Sequence, residues 1–297
     1  MDEFRPSRTM QLAAMLRAVH LLWDDPPKVL EDTLALRLCG FENEAALGLA
    51  HEAATKLFAE RAGLDFAQSA ARYGRSHAVM SGRYVEDELE QAIKRGLSQY
   101  VILGAGLDSF AYRRSDLTNA LHVFEVDHPA SQASKQARLK DLHVELPPHL
   151  TFVPVDFEKQ TLLEGLRKAG YRPQVPALFS WLAVTTYLTE NAIFDTLRAI
   201  SSLAMDTQII FDYWIPVELL NEEDRPLHEA GLALAAASGE PWLSFFEPAS
   251  LARQIRKLGF SEVWDFGPQE GNASYFAGRS DGVRLNSMLH LIRARVG

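Results

Sequence analysis

From Gln99 onward, short apolar runs alternate with amphipathic stretches, and no other feature of the chain narrows the possible folds as much. The runs are Tyr100–Leu103, Leu121–Val126, Thr151–Val155, Ala177–Trp181 and Gln208–Phe211. A continuous apolar run suits a strand buried on both faces, as in a parallel sheet. The stretches between them, such as Ala130–Leu142 and Asn191–Leu203, read as helices. Strand and helix in alternation predict βαβ units and an open α/β sheet with helices on both faces. Glu262–Phe266 and Ala273–Ala277 are two further strand candidates, which makes seven.

Residues 10–95 read differently. Apolar residues recur at helical spacing in Gln11–Trp23, Lys28–Leu38 and Glu42–Ala62, with Pro26-Pro27 between the first two. A fourth helix is predicted from about Phe66 to Lys94, stopped near Gly96. Residues 216–240 read as a helical insertion after the fifth strand, and Pro248–Gly259 as a helix. The expected organisation is one integrated domain. An N-terminal helical cap over 1–97 packs on a core over 98–297, and a lid over about 216–247 hinges near Glu240-Pro241-Trp242.

The first apolar run ends in Leu103-Gly104-Ala105-Gly106-Leu107-Asp108. Glycines there let the backbone approach a ligand with no Cβ in the way. In open α/β sheets, ligands bind beyond the carboxyl ends of the strands. A tight strand-to-helix turn with no ligand would use the same residues. Position 109 is Ser109, so the third glycine of a dinucleotide fingerprint is absent. The second run leads to Asp127, where a carboxylate can accept hydrogen bonds from both hydroxyls of a ribose. Asp156-Phe157 follows the third run, placed to meet an adenine; Asp156 could equally cap a helix.

Bulk properties exclude several classes. A net charge of −9 opposes binding to nucleic-acid phosphates or an anionic membrane. Cys39 is the single cysteine, so an intrachain disulfide and a cysteine zinc site are both ruled out, as fits a reducing cytoplasm. No His/Asp cluster has metal-ligand spacing, so no metal is expected. No stretch approaches 18 apolar residues, so no membrane span is expected either.

Leu103–Arg114 and Phe124–Leu139 resemble the leucine carboxyl methyltransferase family, in particular its bacterial branch of small-molecule O-methyltransferases of polyketide type. The similarity continues in Val155–Leu166, Tyr187–Leu197, Phe245–Val263 and Asn272–Gly282, and so spans roughly residues 70–285. It implies a class I, Rossmann-like methyltransferase sheet of seven mostly parallel strands with an antiparallel edge. It also implies S-adenosyl-L-methionine as cofactor, with S-adenosyl-L-homocysteine as product. By that resemblance Arg75 holds the cofactor carboxylate, and Gly104, Ala105, Gly106 and Asp108 form the turn under its methionine part. Asp127 then binds the ribose with His128 beside it, and Asp156 and Phe157 contact the adenine. Many relatives carry Glu-Gly where this chain has Leu182-Ala183; backbone carbonyls of Ser180 or Trp181 could replace that acidic contact.

The expected reaction is methyl transfer to a carboxylate or hydroxyl of a small molecule, such as a carboxylic acid or phenol. An ionised carboxylate needs no base, whereas a phenol would benefit from one. Tyr187 and Arg279 are the candidates for positioning the acceptor. Arg279 could clamp a carboxylate or simply pair with Asp281. Asp212-Tyr213-Trp214, taken as following the fifth strand, would lie on the same edge or pack as aromatic core. His20, His51 and His128 are possible bases or ordinary packed histidines. Two alternatives remain: a family member that binds without turnover, and an NAD-dependent oxidoreductase. Ser109 and the lack of a catalytic Tyr-x-x-x-Lys weigh against the latter.

Overall fold

The computed structural model describes residues 8–62, 67–156 and 159–297. Four helices come first: α1 (Arg8–Trp23), α2 (Ala35–Leu38), α3 (Glu44–Ala62) and α4 (Ala67–Lys94). Strand and helix then alternate through β1 (Gln99–Leu103), α5 (Phe110–Arg113), β2 (His122–Asp127), α6 (Pro129–Asp141), β3 (Leu150–Pro154), α7 (Leu162–Lys168), β4 (Ala177–Trp181), α8 (Glu190–Ser201) and β5 (Gln208–Trp214). The chain finishes with α9 (Arg225–Ser238), α10 (Pro248–Lys257), β6 (Phe260–Phe266), α11 (Pro268–Tyr275) and β7 (Leu289–Val296).

The described strands form one seven-stranded sheet in the order β3-β2-β1-β4-β5-β7-β6. β1 to β5 run parallel, and β7 lies antiparallel between β5 and β6. Strand alternation sorts the core into two layers. Val101, Leu103, Phe179, Trp181, Phe211 and Tyr213 pack under α7, α8 and α10. Tyr100, Ile102, Leu178 and Ile210 pack under α4 and α5. Helix starts are capped locally: Thr161 and Glu164 form a capping box on α7, and Glu247 accepts from Ala249 and Ser250 at the start of α10. No helix among the described residues is long and apolar enough to cross a membrane.

Three sequence expectations are corrected. The strand candidate Ala273–Ala277 lies in and just after α11, and the seventh strand is β7. Two arginines interrupt the apolar pattern of β7, and their charges are met only in the fold. Arg293 pairs with Glu88 and lies 4.2 Å over the Trp264 ring, while Arg295 pairs with Glu262. The predicted helix Lys28–Leu38 is helical only over Ala35–Leu38. Tertiary contacts hold the rest: the Val29 amide donates to His20 Nε2 at 2.9 Å, and Asp32 pairs with Arg17 at 2.8 Å and Arg113 at 3.6 Å. Finally, Asp212, Tyr213 and Trp214 belong to β5 itself, because β7 continues to pair with them.

Candidate functional site

The carboxyl ends of β1, β2, β4 and β5 meet at the change of direction in strand order, where an open α/β sheet holds its ligand. Gly104 (φ +65°) and Gly106 (φ +44°) take left-handed conformations there. The Gly104 and Ala105 amides donate to the Val126 carbonyl at 2.9 and 3.1 Å, which folds the turn back onto β2. A Cβ on Gly104 would stand 2.6 Å from Val184 Cγ2, so the turn has room for a glycine alone. Asp108 accepts from the Phe110 amide at 2.8 Å and starts α5.

Asp127 ends β2 and faces this turn. One carboxylate oxygen accepts from the Gly106 amide at 2.6 Å and the other from the His128 amide at 2.7 Å. Each oxygen keeps a further lone pair for a ligand hydroxyl. His128 caps α6 by accepting from the Ala130 amide at 3.2 Å. Asp156 lies beyond β3, half-buried and 2.6 Å from Lys159. Phe157 lies outside the described residues.

Arg75 sits on α4 and pairs with Asp24 at 3.0 Å, and Asp24 also contacts His20 at 2.7 Å. Burial opposes ionisation of Asp24, but His20 and Arg75 outweigh it and hold the carboxyl below its ordinary range. His20 is fully buried, with its two ring nitrogens bonded to Asp24 and to the Val29 amide, so it serves packing. Helix α1 crosses the glycine turn. Arg17 donates to the Leu107 carbonyl at 2.8 Å, and Met10 Cβ lies 3.1 Å from where a Gly106 Cβ would be.

Tyr187 stands beyond β4, its hydroxyl 3.5 Å from Thr9 Oγ1. Burial raises its pKa, so the phenol is protonated at neutral pH. Thr9 also bonds Glu240. Thus the start of α1, Tyr187 and the segment after α9 converge. Trp242 packs on Trp214 at 4.4 Å, and His77 and His228 lie 5.9 and 6.5 Å from Trp214. His51 packs edge-on to Trp23 at 5.4 Å.

The remaining candidates turn inward. Ser180 bonds Tyr100 at 2.8 Å within the core, and Trp181 is buried on the opposite face of the sheet. The Arg279 guanidinium is engaged with Asp281 and with the carbonyls of Pro27 and Asp25, each at 2.8 Å. It ties the segment before β7 to the loop after α1. Tyr213 bonds Asp265, which also contacts His290 at 2.9 Å.

The sequence places Asp212 at the carboxyl edge of the sheet but does not say what its carboxylate meets. The Asp212 carboxylate accepts from the Ala183 amide with both oxygens, each at 2.9 Å. Burial raises its pKa to about 7 against those backbone bonds. Ala183 has φ +57°, a left-handed conformation on a residue that carries a Cβ. The only sequence signal was an acid at the end of an apolar strand.

Residues 11–201 match the model of a family described as leucine carboxyl methyltransferase. A Bacillus subtilis protein named "Putative S-adenosyl-L-methionine-dependent methyltransferase YktD" is 36% identical over 213 residues, which cover 71% of this chain and 69% of that one. A Mycobacterium tuberculosis (strain H37Rv) protein with the same descriptive name is 33% identical over 134 residues, 44% of this chain and 43% of its own. Among solved structures, a DUF574 family protein from Streptomyces avermitilis aligns over 98% of both chains, with a TM-score of 0.62 at 12% identity, a likeness of fold.

Proposed function

This chain belongs to the leucine carboxyl methyltransferase family, and we propose that it is an S-adenosylmethionine-dependent O-methyltransferase acting on a carboxylate or hydroxyl of a small molecule. The observation that carries this reading is Asp127, whose carboxylate stands at the end of β2 with both oxygens oriented by backbone amides, beside the glycine turn. A carboxylate so fixed is prepared to accept from the paired hydroxyls of a ribose. Room at the turn agrees: Gly104 is exposed and, with its left-handed backbone, carries no side chain to bar a ligand.

Bound S-adenosylmethionine supplies a methyl group on a sulfonium, ready for in-line displacement. The chain's part is positioning and exclusion of water. On this reading Asp127 would hold the ribose, Gly104 to Gly106 the methionine part, Arg75, which pairs with Asp24 here, its carboxylate, and Asp156 the adenine. Tyr187 lies toward the acceptor, and its protonated phenol acts as a hydrogen-bond donor. Residues up to 97 act as a cap and residues 216–247 as a lid, joined where Thr9, Glu240 and Tyr187 meet. The acceptor class follows from the family and from a site with no base required for an ionised carboxylate.

Calorimetric titration with S-adenosylmethionine and with NAD tests the reading. Binding of S-adenosylmethionine alone, lost in Asp127→Ala, supports it; carboxylic acids and phenols are then screened for transfer of a labelled methyl group. Binding of NAD alone sinks it.

A further inference from the structure

We infer that Asp212 is the anionic partner of the cofactor's α-ammonium group, an inference that rests on the methyltransferase reading above. Strand alternation places the Asp212 side chain with Ile210 on the α4 side of the sheet, the side that carries Ser180 and the helix of Arg75. It is 6% exposed. An ionised carboxylate offers about four acceptor positions. Here the bonds to it come from the Ala183 amide and from Asp212's own backbone.

Most other buried acids among the described residues are met by cations; Asp224, held by the Ser287 amide and hydroxyl, is an exception. Asp32 pairs with Arg17 and Arg113, Glu125 with Lys135, and Asp24 with Arg75. Among the described residues, no cationic side chain pairs with Asp212. A buried charge compensated by backbone amides alone is costly and calls for a positive group.

Its surroundings identify that group. Ala183 is exposed, and Val184, next in the chain, presses on the glycine turn, with Cγ2 2.6 Å from a Cβ built on Gly104. The Asp212 carboxylate therefore sits one residue behind the wall of the turn that lies under the methionine part. A ligand with its amino-acid end there brings one ammonium group, and Asp212 is the acid the fold holds ready at that edge. The left-handed Ala183 is the strained piece that keeps the Asp212 bond in place.

The test is calorimetric and needs no turnover. Wild-type protein and Asp212→Asn are titrated with S-adenosylhomocysteine and with its desamino analogue, which keeps the carboxylate and lacks the ammonium. Asparagine keeps an acceptor for the Ala183 amide and removes the charge. We expect wild type to bind S-adenosylhomocysteine about 10- to 100-fold tighter than the analogue, the range of a hydrogen bond to a charged group. In Asp212→Asn that preference should fall to near unity, with affinity for the analogue unchanged. Equal loss for both ligands, or an unaltered preference in the variant, overturns the inference and leaves the cofactor reading standing. Failure of wild type to bind S-adenosylhomocysteine at all overturns both. Should the variant not fold, the wild-type comparison decides alone: equal affinity for the two ligands overturns the inference.

Discussion

The Gly106 amide donates to Asp127 Oδ2 at 2.6 Å, and this bond joins the turn after β1 to the end of β2. One side chain thus shapes the turn and, in the proposed site, would face the ribose. Asp127→Ala removes both functions and should weaken S-adenosylhomocysteine binding by at least about 30-fold, while Asp127→Asn, which keeps an acceptor for the amide, should lose less. Calorimetry on the two variants checks the order.

Gly104→Ala places a Cβ 2.6 Å from Val184 Cγ2 and forces alanine into a left-handed backbone. The two effects together should cost about 2–4 kcal/mol. Part of the loss is steric, so Gly104→Ala with Val184→Ala should recover some stability and none of the backbone strain. Urea unfolding of the single and double variants separates the two contributions.

Lys135 and Glu125 form a buried ion pair at 2.6 Å beneath the β2 end. Burial raises the Glu125 pKa to about 7, even though Lys135 favours its ionised form. Lys135→Met strands the carboxylate and should destabilise by about 3–5 kcal/mol at pH 8. At pH 5 the stranded group can protonate, so the deficit should be smaller. Unfolding measured at both pH values decides it; an equal deficit would place the loss in packing.

Arg279 has a side chain only 6% exposed and bonds Asp281, Pro27 and Asp25. Arg279→Ala should lower stability by about 2–3 kcal/mol, chiefly through the Pro27 and Asp25 carbonyls left without this donor and the lost ion pair with Asp281. If Arg279 instead held the acceptor, the variant would keep its melting temperature and raise the acceptor KM.

The Asp212 carboxyl has a pKa of about 7 in the folded protein, against an ordinary value of 3.8, because burial disfavours its charge. Its contribution to stability is complete below about pH 4 and declines as pH rises to 7. Asp212→Asn has no such decline. Without ligand, it should therefore match wild type near pH 4 and exceed it by up to about 4 kcal/mol at pH 8. Denaturant midpoints across that range test the sign. A more stable variant that has lost ammonium recognition would mark Asp212 as a residue kept for binding.

The legibility of the sequence followed the range of the forces involved. The alternation after Gln99 predicted five parallel strands because burial on both faces writes an uninterrupted apolar run. The Gly104–Gly106 turn was legible because left-handed backbone selects glycine locally. β7 was hidden because Arg293 and Arg295 break its pattern and find Glu88 and Glu262 only in the fold. Lys28–Leu38 misled because its helical spacing yields to contacts from His20, Arg17 and Arg113, distant in sequence.

The site divides in the same way. Sequence by itself determined the α/β class, the glycine turn and the acid at Asp127, since each depends on backbone preference or strand period within a few residues. Tertiary structure alone decided that Arg279 is bound up with Asp281 and the loop after α1, that α1 crosses the turn, and that Asp212 lies behind Ala183. Those relations join segments tens to hundreds of residues apart. What a buried charge does depends on which groups the fold brings within a few ångströms of it, and no local pattern in the chain records that distance.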